Sequence, residues 1–300
     1  MDAIERIFCA TDFSEAADEA IRQADQLARV HNAQLQVYHA MPSALSSHPL
    51  FPQLDAQALS DRPSLEARLL EALAERVTAL TGRGDEDVYL QVGEGEPYAA
   101  IVSRAERSAA DLIVVGGQGP ANRLLGDVAE RVVRYAHCPV LVARPEPKSG
   151  MLLVGTDLSD PSMLAVSVAA EQARLRKARV TVVHSLDLPD PTASQPRPDL
   201  GDLIGASKTL DREGLQSQAL ERLSAAIARF NLAADAVVTE GHPASDLPLL
   251  AEELKADLVI VATAGRTGIS RVMQGSVAEA VARESPCSVL VVRLKIPDQS

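Results

Sequence analysis

The sequence predicts an α/β protein built from two tandem, doubly wound sheets of five parallel strands each. Continuous apolar runs alternate with helical patterns along the 300 residues, which is typical of parallel strands covered by helices on both faces. The same succession of motifs also occurs twice, once in each half of the chain. Because only a short, Pro-containing segment at 144–150 joins the halves, we expect the two domains to stay close together.

Composition argues against several classes of partner. Hydrophobic residues make up 46% of the chain and aromatic residues only 3%, so the cores must consist of Ala, Val, Leu and Ile. The formal net charge is −12, and no basic cluster is longer than the one at 174–179. Phosphate backbones and anionic lipids are bound by Lys and Arg clusters, so we expect neither a nucleic acid nor a membrane partner.

The sequence shows no export signal. No apolar run approaches the roughly 18 residues of a membrane span, which predicts a cytoplasmic location. Cys9, Cys138 and Cys287 are widely spaced and lie in or beside apolar runs. We expect them to be reduced, buried thiols without a metal-binding or catalytic role.

Each half begins with a strand, a turn and a helix. Apolar residues 4–10 lead into Thr11-Asp12-Phe13-Ser14, and residues 151–155 lead into Thr156-Asp157-Leu158-Ser159. An Asp at such a junction caps the helix or faces a ligand, and we expect capping for Asp12 and ligand proximity for Asp157. In the second half, Asp160-Pro161 predicts an N-cap followed by a first-turn proline.

The second strand of each half ends beside a histidine, His39 or His184, for which we expect packing or a hydrogen bond. A long segment that contains Pro and Ser follows each strand, at 41–63 and at 186–209, and we interpret both as loops. Loops of this length are often lids or partner surfaces, but a variable insertion without a role is an equally good interpretation.

The remaining strands also recur in pairs. Third strands at 88–92 and 236–239 precede Pro97 and Pro243, which we place at helix starts. Fourth strands follow Ala-Asp-Leu and end at glycine-rich segments, and fifth strands begin near Cys138 and Cys287.

The glycine-rich segment of the second half, at 259–277, predicts an anion site. Gly265, Gly268 and Gly275 follow an apolar strand, and Ser276 stands where a helix would begin, as its N-cap. Free backbone N–H groups and the positive end of the helix dipole attract phosphate. Ligands of open α/β sheets bind beyond the carboxyl ends of the strands, so Asp157 should face the same crevice.

These motifs resemble the universal stress protein family. Its marks are Thr-Asp-x-Ser after the first strand, Ala-Asp-Leu before the fourth, the glycine-rich segment, and a closing strand of the Cys-Pro-Val-Leu-Val type. The resemblance covers two domains, at 1–146 and 150–295. It implies an adenine nucleotide α-hydrolase-like sheet with strand order 3-2-1-4-5 and a role in the stress response. It also implies dimers or tandem pseudo-dimers that associate through their fifth strands, with a homodimer of the whole chain left open.

The resemblance further implies ATP binding through Gly-x-x-Gly, nine residues, then Gly and a hydroxyl residue. The second half keeps this pattern from Gly265 to Ser276, but Ala262 replaces the first glycine, which should weaken binding without abolishing it. Asp157 is implied near the nucleotide, Ser185 beside the base, and Arg266 or Arg271 near the phosphates. The implied nucleotide-binding residues are Asp157, Ser185, Ala262, Thr263, Gly265, Arg266, Gly275, Ser276 and Val277.

The first half departs further from this pattern. Gly116-Gly117-Gln118-Gly119 is followed by only six residues, 120–125, before Gly126, and Asp127 replaces the hydroxyl residue. A carboxylate there would satisfy the helix N-terminus in place of a phosphate and repel one. We therefore expect the first half to bind no nucleotide.

Three functions remain open. The first is a stress-response or signalling protein that binds ATP, with or without Mg²⁺, in its second half and presents a surface to an unidentified protein partner. The second is an interaction or scaffold protein in which both sites have decayed. The third is an ATP-using enzyme. The sequence contains no recognisable nucleophile–base pair, so at most slow ATP hydrolysis is expected.

Overall fold

The computed structural model describes residues 4–41, 52–84, 86–117, 125–188, 211–263 and 276–293. Strands and helices alternate in both halves. The first half contains β1 (Arg6–Thr11), α1 (Glu15–His31), β2 (Gln34–Met41), α2 (Pro52–Thr81), β3 (Val88–Glu94), α3 (Pro97–Arg107), β4 (Leu112–Gly116), α4 (Asp127–Tyr135) and β5 (Val140–Ala143). The second contains β6 (Met151–Gly155), α5 (Met163–Arg176), β7 (Arg179–Leu186), α6 (Arg212–Ala228), β8 (Asp235–Glu240), α7 (Pro243–Glu253), β9 (Leu258–Ala262), α8 (Ser276–Glu284) and β10 (Ser288–Val292).

The ten strands form one sheet in the order β3-β2-β1-β4-β5-β10-β9-β6-β7-β8. All neighbours are parallel except β5 and β10, which pair antiparallel with Leu141 opposite Leu290. The predicted fold class is confirmed, and the order within each half is compatible with 3-2-1-4-5. The fifth strands join the halves, as the resemblance implies for a tandem pseudo-dimer.

Helices cover both faces of the sheet, and each face carries one hydrophobic cluster that runs through both halves. Side chains of β6 alternate between these clusters. Leu152 and Val154 pack on the face of α1, α2, α5 and α6, whereas Leu153 packs on the face of α3, α4, α7 and α8. The halves therefore share both hydrophobic clusters as well as one sheet.

The aspartates of the two Ala-Asp-Leu motifs form hydrogen bonds to the backbone at the start of the first strand of each half. Asp111 accepts hydrogen bonds from the backbone N–H groups of Glu5 and Arg6, at 2.9 and 3.0 Å. Asp257 accepts from Ser149 and Gly150 at 2.8 and 2.7 Å. The motif thus joins the start of the fourth strand to the start of the first.

The predicted loop at 41–63 is wrong for its second part, because α2 begins at Pro52 and continues through Pro63. Pro63 removes one backbone donor, but the Ala-, Leu- and Glu-rich residues that follow favour a helix strongly enough to continue it. Residues 42–51 and 189–210, from the two predicted loops, lie outside the described residues. Within the described ranges, no helix has the length and apolar character needed to cross a bilayer.

Arg144, at the end of β5, crosses between the halves. Its side chain is 1% exposed, and its guanidinium donates to the carbonyl oxygens of Ala282 at 2.7 Å and Cys287 at 3.3 Å. The carbonyl of Arg283 accepts a third, longer bond of 3.4 Å. Burial lowers the pKa of Arg144 to about 10. A guanidinium of the first half thus donates hydrogen bonds to backbone carbonyl groups at the carboxyl end of α8, in the second half.

Candidate functional site

The candidate site lies at the carboxyl edge of the second half, where β9, β6 and β7 end side by side. β6 pairs with β9 on one side and with β7 on the other. Asp157 follows β6, Ser185 lies near the end of β7, and Ala262 ends β9 with Thr263 directly after it. The structure therefore brings these four predicted residues to one edge. Gly265, Arg266, Arg271 and Gly275 lie outside the described residues.

Asp157 is held in a tight turn. Its Oδ1 accepts hydrogen bonds from the backbone N–H and the hydroxyl of Ser159, at 3.0 and 2.5 Å. Leu158 between them has a φ of 63°. The half-buried carboxylate is therefore fixed in orientation at the end of β6.

Asp12 makes the equivalent bond to the N–H of Ser14, at 3.0 Å. Ser14, and not Asp12, caps α1 by accepting from the N–H of Ala17 at 3.3 Å. The expected capping role of Asp12 is wrong, because its side chain is used to fix the turn that places the serine cap.

The helix after β6 starts later than predicted. Asp160 and Pro161 form a turn, and α5 begins at Met163 with Ser162 in the N-cap position. The hydroxyl of Ser162 donates to the carbonyl of Ser159 at 2.9 Å and lies 2.8 Å from Thr156 Oγ1. These bonds stabilise a non-helical turn at 160–162, so the helix does not extend back to Asp160. The predicted N-cap at Asp160 is therefore wrong.

The late start of α5 explains the alanine in the glycine motif. In the first half, a Cβ added to Gly116 would lie 2.6 Å from the carbonyl carbon of Ala16, in the first turn of α1. No methyl group fits at that distance. The equivalent of that helical turn in the second half is the turn before Met163. We therefore attribute the tolerance of Ala262 to the later helix start.

The two histidines are hydrogen-bonded, as the sequence predicts. His184 Nδ1 lies 2.9 Å from the carbonyl oxygen of Thr156, and His39 Nδ1 lies 2.8 Å from that of Thr11. Because a carbonyl only accepts, each Nδ1 carries the proton. These histidines tie the second strand of each half to the turn after the first strand.

Ser185 belongs to a hydrogen-bonded chain that the sequence does not reveal. Its Oγ lies 2.9 Å from Thr239 Oγ1 on β8, and Thr239 Oγ1 lies 2.6 Å from Asp246 Oδ2 in the first turn of α7. The pairing of Ser185 with Thr239 in the parallel register aligns the hydroxyls. The only signal in the sequence is the presence of hydroxyl residues at the ends of two adjacent strands.

The helix of the predicted phosphate site begins at Ser276, which is exposed, and Val277 packs against the core on the face of α7 and α8. Ser276 is thus the first helical residue and not the cap. In the first half, α4 begins at Asp127 after an N-cap at Gly126.

The expectation that Asp127 satisfies its helix N-terminus is wrong. The helix has no side-chain cap, and the carboxylate is 87% exposed and 3.7 Å from Arg131. Asp127 stands directly after the N-cap Gly126, and its side chain makes no cap hydrogen bond to the first amides of the helix. Asp127 therefore contributes an exposed negative charge at the helix start.

Other features of the described ranges give no stronger candidate for a functional site than this edge. They contain no group of three or more His, Cys, Asp or Glu side chains that could hold a metal ion. The three cysteines are buried and form no disulfide, as predicted for reduced thiols. A cavity of about 350 Å³ lies away from the strand ends, between the carboxyl-terminal parts of α1 and α5.

Comparison with known proteins identifies the family. The sequence profile of the universal stress protein family matches twice, at residues 3–144 and 151–293. The chain belongs to the universal stress protein family. A universal stress protein of Mycobacterium tuberculosis is 29% identical over 299 residues, with 96% of each chain covered.

A solved structure of similar length agrees with this fold. A universal stress protein from Archaeoglobus fulgidus superimposes with a TM-score of 0.65 at 18% identity, covering 98% of this chain and 99% of that one. A single-domain match is to a universal stress protein solved in complex with cAMP. It is 26% identical, with a TM-score of 0.34, and covers 48% of this chain and 98% of that one.

Proposed function

We propose that this universal stress protein binds ATP in its second half only, and that the bound nucleotide alters a surface read by a protein partner. The supporting observation is the contrast between two equivalent helix starts. α8 begins with an exposed, neutral serine, whereas α4 begins with an exposed carboxylate. Only the first of these N-termini suits a polyphosphate.

The residues around the start of α8 fit a nucleotide. Asp157 and Ser185 offer polar groups beside β9 on the same edge, and the turn before α5 leaves room for Ala262. In this proposal, Gly265, Arg266, Gly275, Ser276 and Val277 bind the phosphates through backbone N–H groups and one guanidinium. Mg²⁺ enters with the nucleotide and neutralises part of its charge.

The proposed function is binding and not efficient catalysis. In the described part of the edge, the hydroxyls of Ser159 and Thr239 bond to the carboxylates of Asp157 and Asp246, and His184 Nδ1 bonds to a backbone carbonyl and not to a hydroxyl. Hydrolysis by an ordered water would be slow, so the bound ATP persists long enough for a partner to recognise it.

Calorimetric titration of the full chain with Mg-ATP tests the proposal, with a stoichiometry of one nucleotide per chain expected. Titration with cAMP, which lacks β- and γ-phosphates, reports how far binding depends on the polyphosphate. Mass spectrometry of the supernatant of denatured protein reports nucleotide retained through purification. Absence of binding by every measure would overturn the proposal and favour a scaffold protein.

Substitution at the start of α8 locates the site. Ser276→Asp should lower ATP affinity at least tenfold, since it places a carboxylate where phosphate binds. Ser276→Ala keeps the backbone N–H and should bind within a few-fold of wild type. Asp127→Ser should not create a second site, because the loop of the first half stays short. Unchanged affinity in Ser276→Asp would show that the nucleotide binds elsewhere.

A further inference from the structure

The cavity of about 350 Å³ lies over the seam between the two halves, on the face of the sheet that carries α1 and α5. On the opposite face, α4 and α8 contact each other across the seam, and Arg134 pairs with Glu279 at 2.6 Å. α1 packs chiefly on β1 and β4, whereas α5 packs on β6 and β9, so a gap is left between these two helices. We call this space the seam cavity.

The rim and the floor of the seam cavity are apolar. Val30 and Leu175, at corresponding positions near the ends of α1 and α5, are 57% and 46% exposed at the rim. Leu27 lines both the cavity and a slot of about 20 Å³, whose other walls include Leu141 and Leu290 from the β5–β10 pair. Exposed apolar side chains around such a space favour an occupant with a hydrocarbon part, because binding removes their surface from water.

The charged side chains in the wall leave one cation unpaired. Glu146 pairs with Arg176 at 2.9 Å. Both carboxylate oxygens of Asp257 accept hydrogen bonds from the backbone N–H groups of residues 149–150. Lys148 is exposed and makes no ion pair within the described ranges. The remaining positive charge favours an occupant with a single negative charge.

The backbone holds Lys148 at the rim. Its φ of 61° lies in the left-handed region, which few residues other than glycine adopt. The bonds of Asp257 to residues 149–150 fix the segment that follows. His31 and Arg176, at corresponding positions on α1 and α5, are the other basic side chains of the wall. An acidic head group at the rim would therefore lie among basic side chains, with its hydrocarbon part directed inward.

We propose that the seam cavity binds a small, unbranched monocarboxylate of about eight carbon atoms. Its volume is near the lower end of the range for small-ligand pockets, about 300–1,000 Å³, which suits a compact molecule. The carboxylate pairs with Lys148, and the chain lies beside Leu27 over β5 and β10. The site adjoins Gly150 and Asp257 at the amino edge of the second half, whereas the proposed nucleotide site lies at the carboxyl edge. The inference is therefore independent of the proposed function.

Titration of the full chain with octanoate, followed by NMR, tests the inference. A dissociation constant of about 0.1–1 mM is expected for a ligand of this size. Each buried CH₂ group contributes a factor of about four, so hexanoate should bind about tenfold more weakly. Octylammonium has the same chain and the opposite charge, and it should also bind about tenfold more weakly. Absence of octanoate binding, or equal affinity for all three ligands, would overturn the inference.

Lys148→Glu should reverse the preference for the head group. Octanoate should bind about tenfold more weakly than to wild type, and octylammonium should become the tighter ligand. A merely structural defect would weaken both ligands together. Lys255→Glu is the matched control, since Lys255 is also exposed, has a φ of 49° and does not line the cavity. An octanoate preference that survives Lys148→Glu would show that the head group lies elsewhere.

Two further measurements locate the chain of the ligand. Ala178→Leu enlarges a side chain in the cavity wall and should lower octanoate affinity about fivefold or more, with hexanoate less affected. Saturating Mg-ATP should leave octanoate affinity unchanged, whether or not the protein binds the nucleotide. Displacement of octanoate by ATP would place it at the carboxyl ends of the strands and overturn the inference without affecting the nucleotide site.

Sedimentation distinguishes a ligand from a second copy of the chain as the occupant of this face. We expect octanoate to bind without changing the oligomeric state. A dimer that does not bind octanoate and that Val30→Glu dissociates would assign the apolar rim to a contact between copies, and it would overturn the inference.

Discussion

Two buried thiols couple the stability of the protein to pH. Burial raises the pKa of Cys9 far above its ordinary value of 9.0 and raises that of Cys287 to about 12. Arg144 partly opposes the second shift. As the pH rises above 9, the unfolded chain loses these protons while the folded chain keeps them. The stability present below pH 9 is therefore progressively lost at higher pH.

We expect the free energy of unfolding to fall between pH 9 and pH 10, with each of the two thiols contributing up to about 1.4 kcal/mol per pH unit. Urea unfolding at pH 8, 9 and 10 measures the slope. Cys287→Ala removes one of the two contributions, so its stability should depend less steeply on pH. Equal slopes in the variant and wild type would contradict the assignment.

The contact between the end of the fourth strand and the helix after the first strand decides which residue can occupy the first glycine position of the motif. Gly116 lies under the first turn of α1, whereas in the second half a longer turn before α5 takes the place of that helical turn. Gly116→Ala should cost about 1–3 kcal/mol, the usual range for an overpacked core site. Ala262→Gly should change stability by less than about 1 kcal/mol. Chemical unfolding of both variants checks the comparison, and equal effects would contradict it.

Most elements could be predicted because each follows from local chemistry. Apolar runs mark the strands, and Pro97 and Pro243 mark helix starts in the positions predicted for them. The start of α5 could not be predicted, because Asp160-Pro161 is a good helix start in isolation. The bonds of Ser162 to Thr156 and to the carbonyl of Ser159, across the turn, favour the later start.

The polar chemistry of the site was less predictable than its position. The order of the strands places Asp157, Ser185 and Ala262 on one edge, and this follows from the repeated motifs. Asp246, however, reaches Thr239 only because a glycine turn brings the start of α7 back over β8. A contact between elements that depends on one backbone angle leaves no pattern in the sequence.

At the scale of the whole molecule, Arg144 joins the halves through buried carbonyl groups. Arg144→Met should leave the carbonyls of Ala282 and Cys287 without this donor and cost about 3 kcal/mol. Urea unfolding should show a single transition at lower denaturant, because the shared sheet makes the halves unfold together.

Arg134→Met is the matched control for this substitution. Arg134 also crosses between the halves and pairs with Glu279 at 2.6 Å, but its side chain is 47% exposed. An exposed pair contributes at most about 1 kcal/mol. Two separate transitions in Arg144→Met, or a larger loss in Arg134→Met, would contradict the role assigned to Arg144.

The antiparallel pairing of β5 with β10 gives the molecule two ends that differ in the helix starts they carry. Strands of the first half end at one edge of the sheet and strands of the second half at the opposite edge. A pair of identical domains joined this way would look the same from either end. Here one end carries the acidic start of α4 and the other the neutral start of α8. The proposed function therefore requires a partner that approaches from the end of the molecule where α8 begins, so the two halves are not equivalent in spite of their repeated fold.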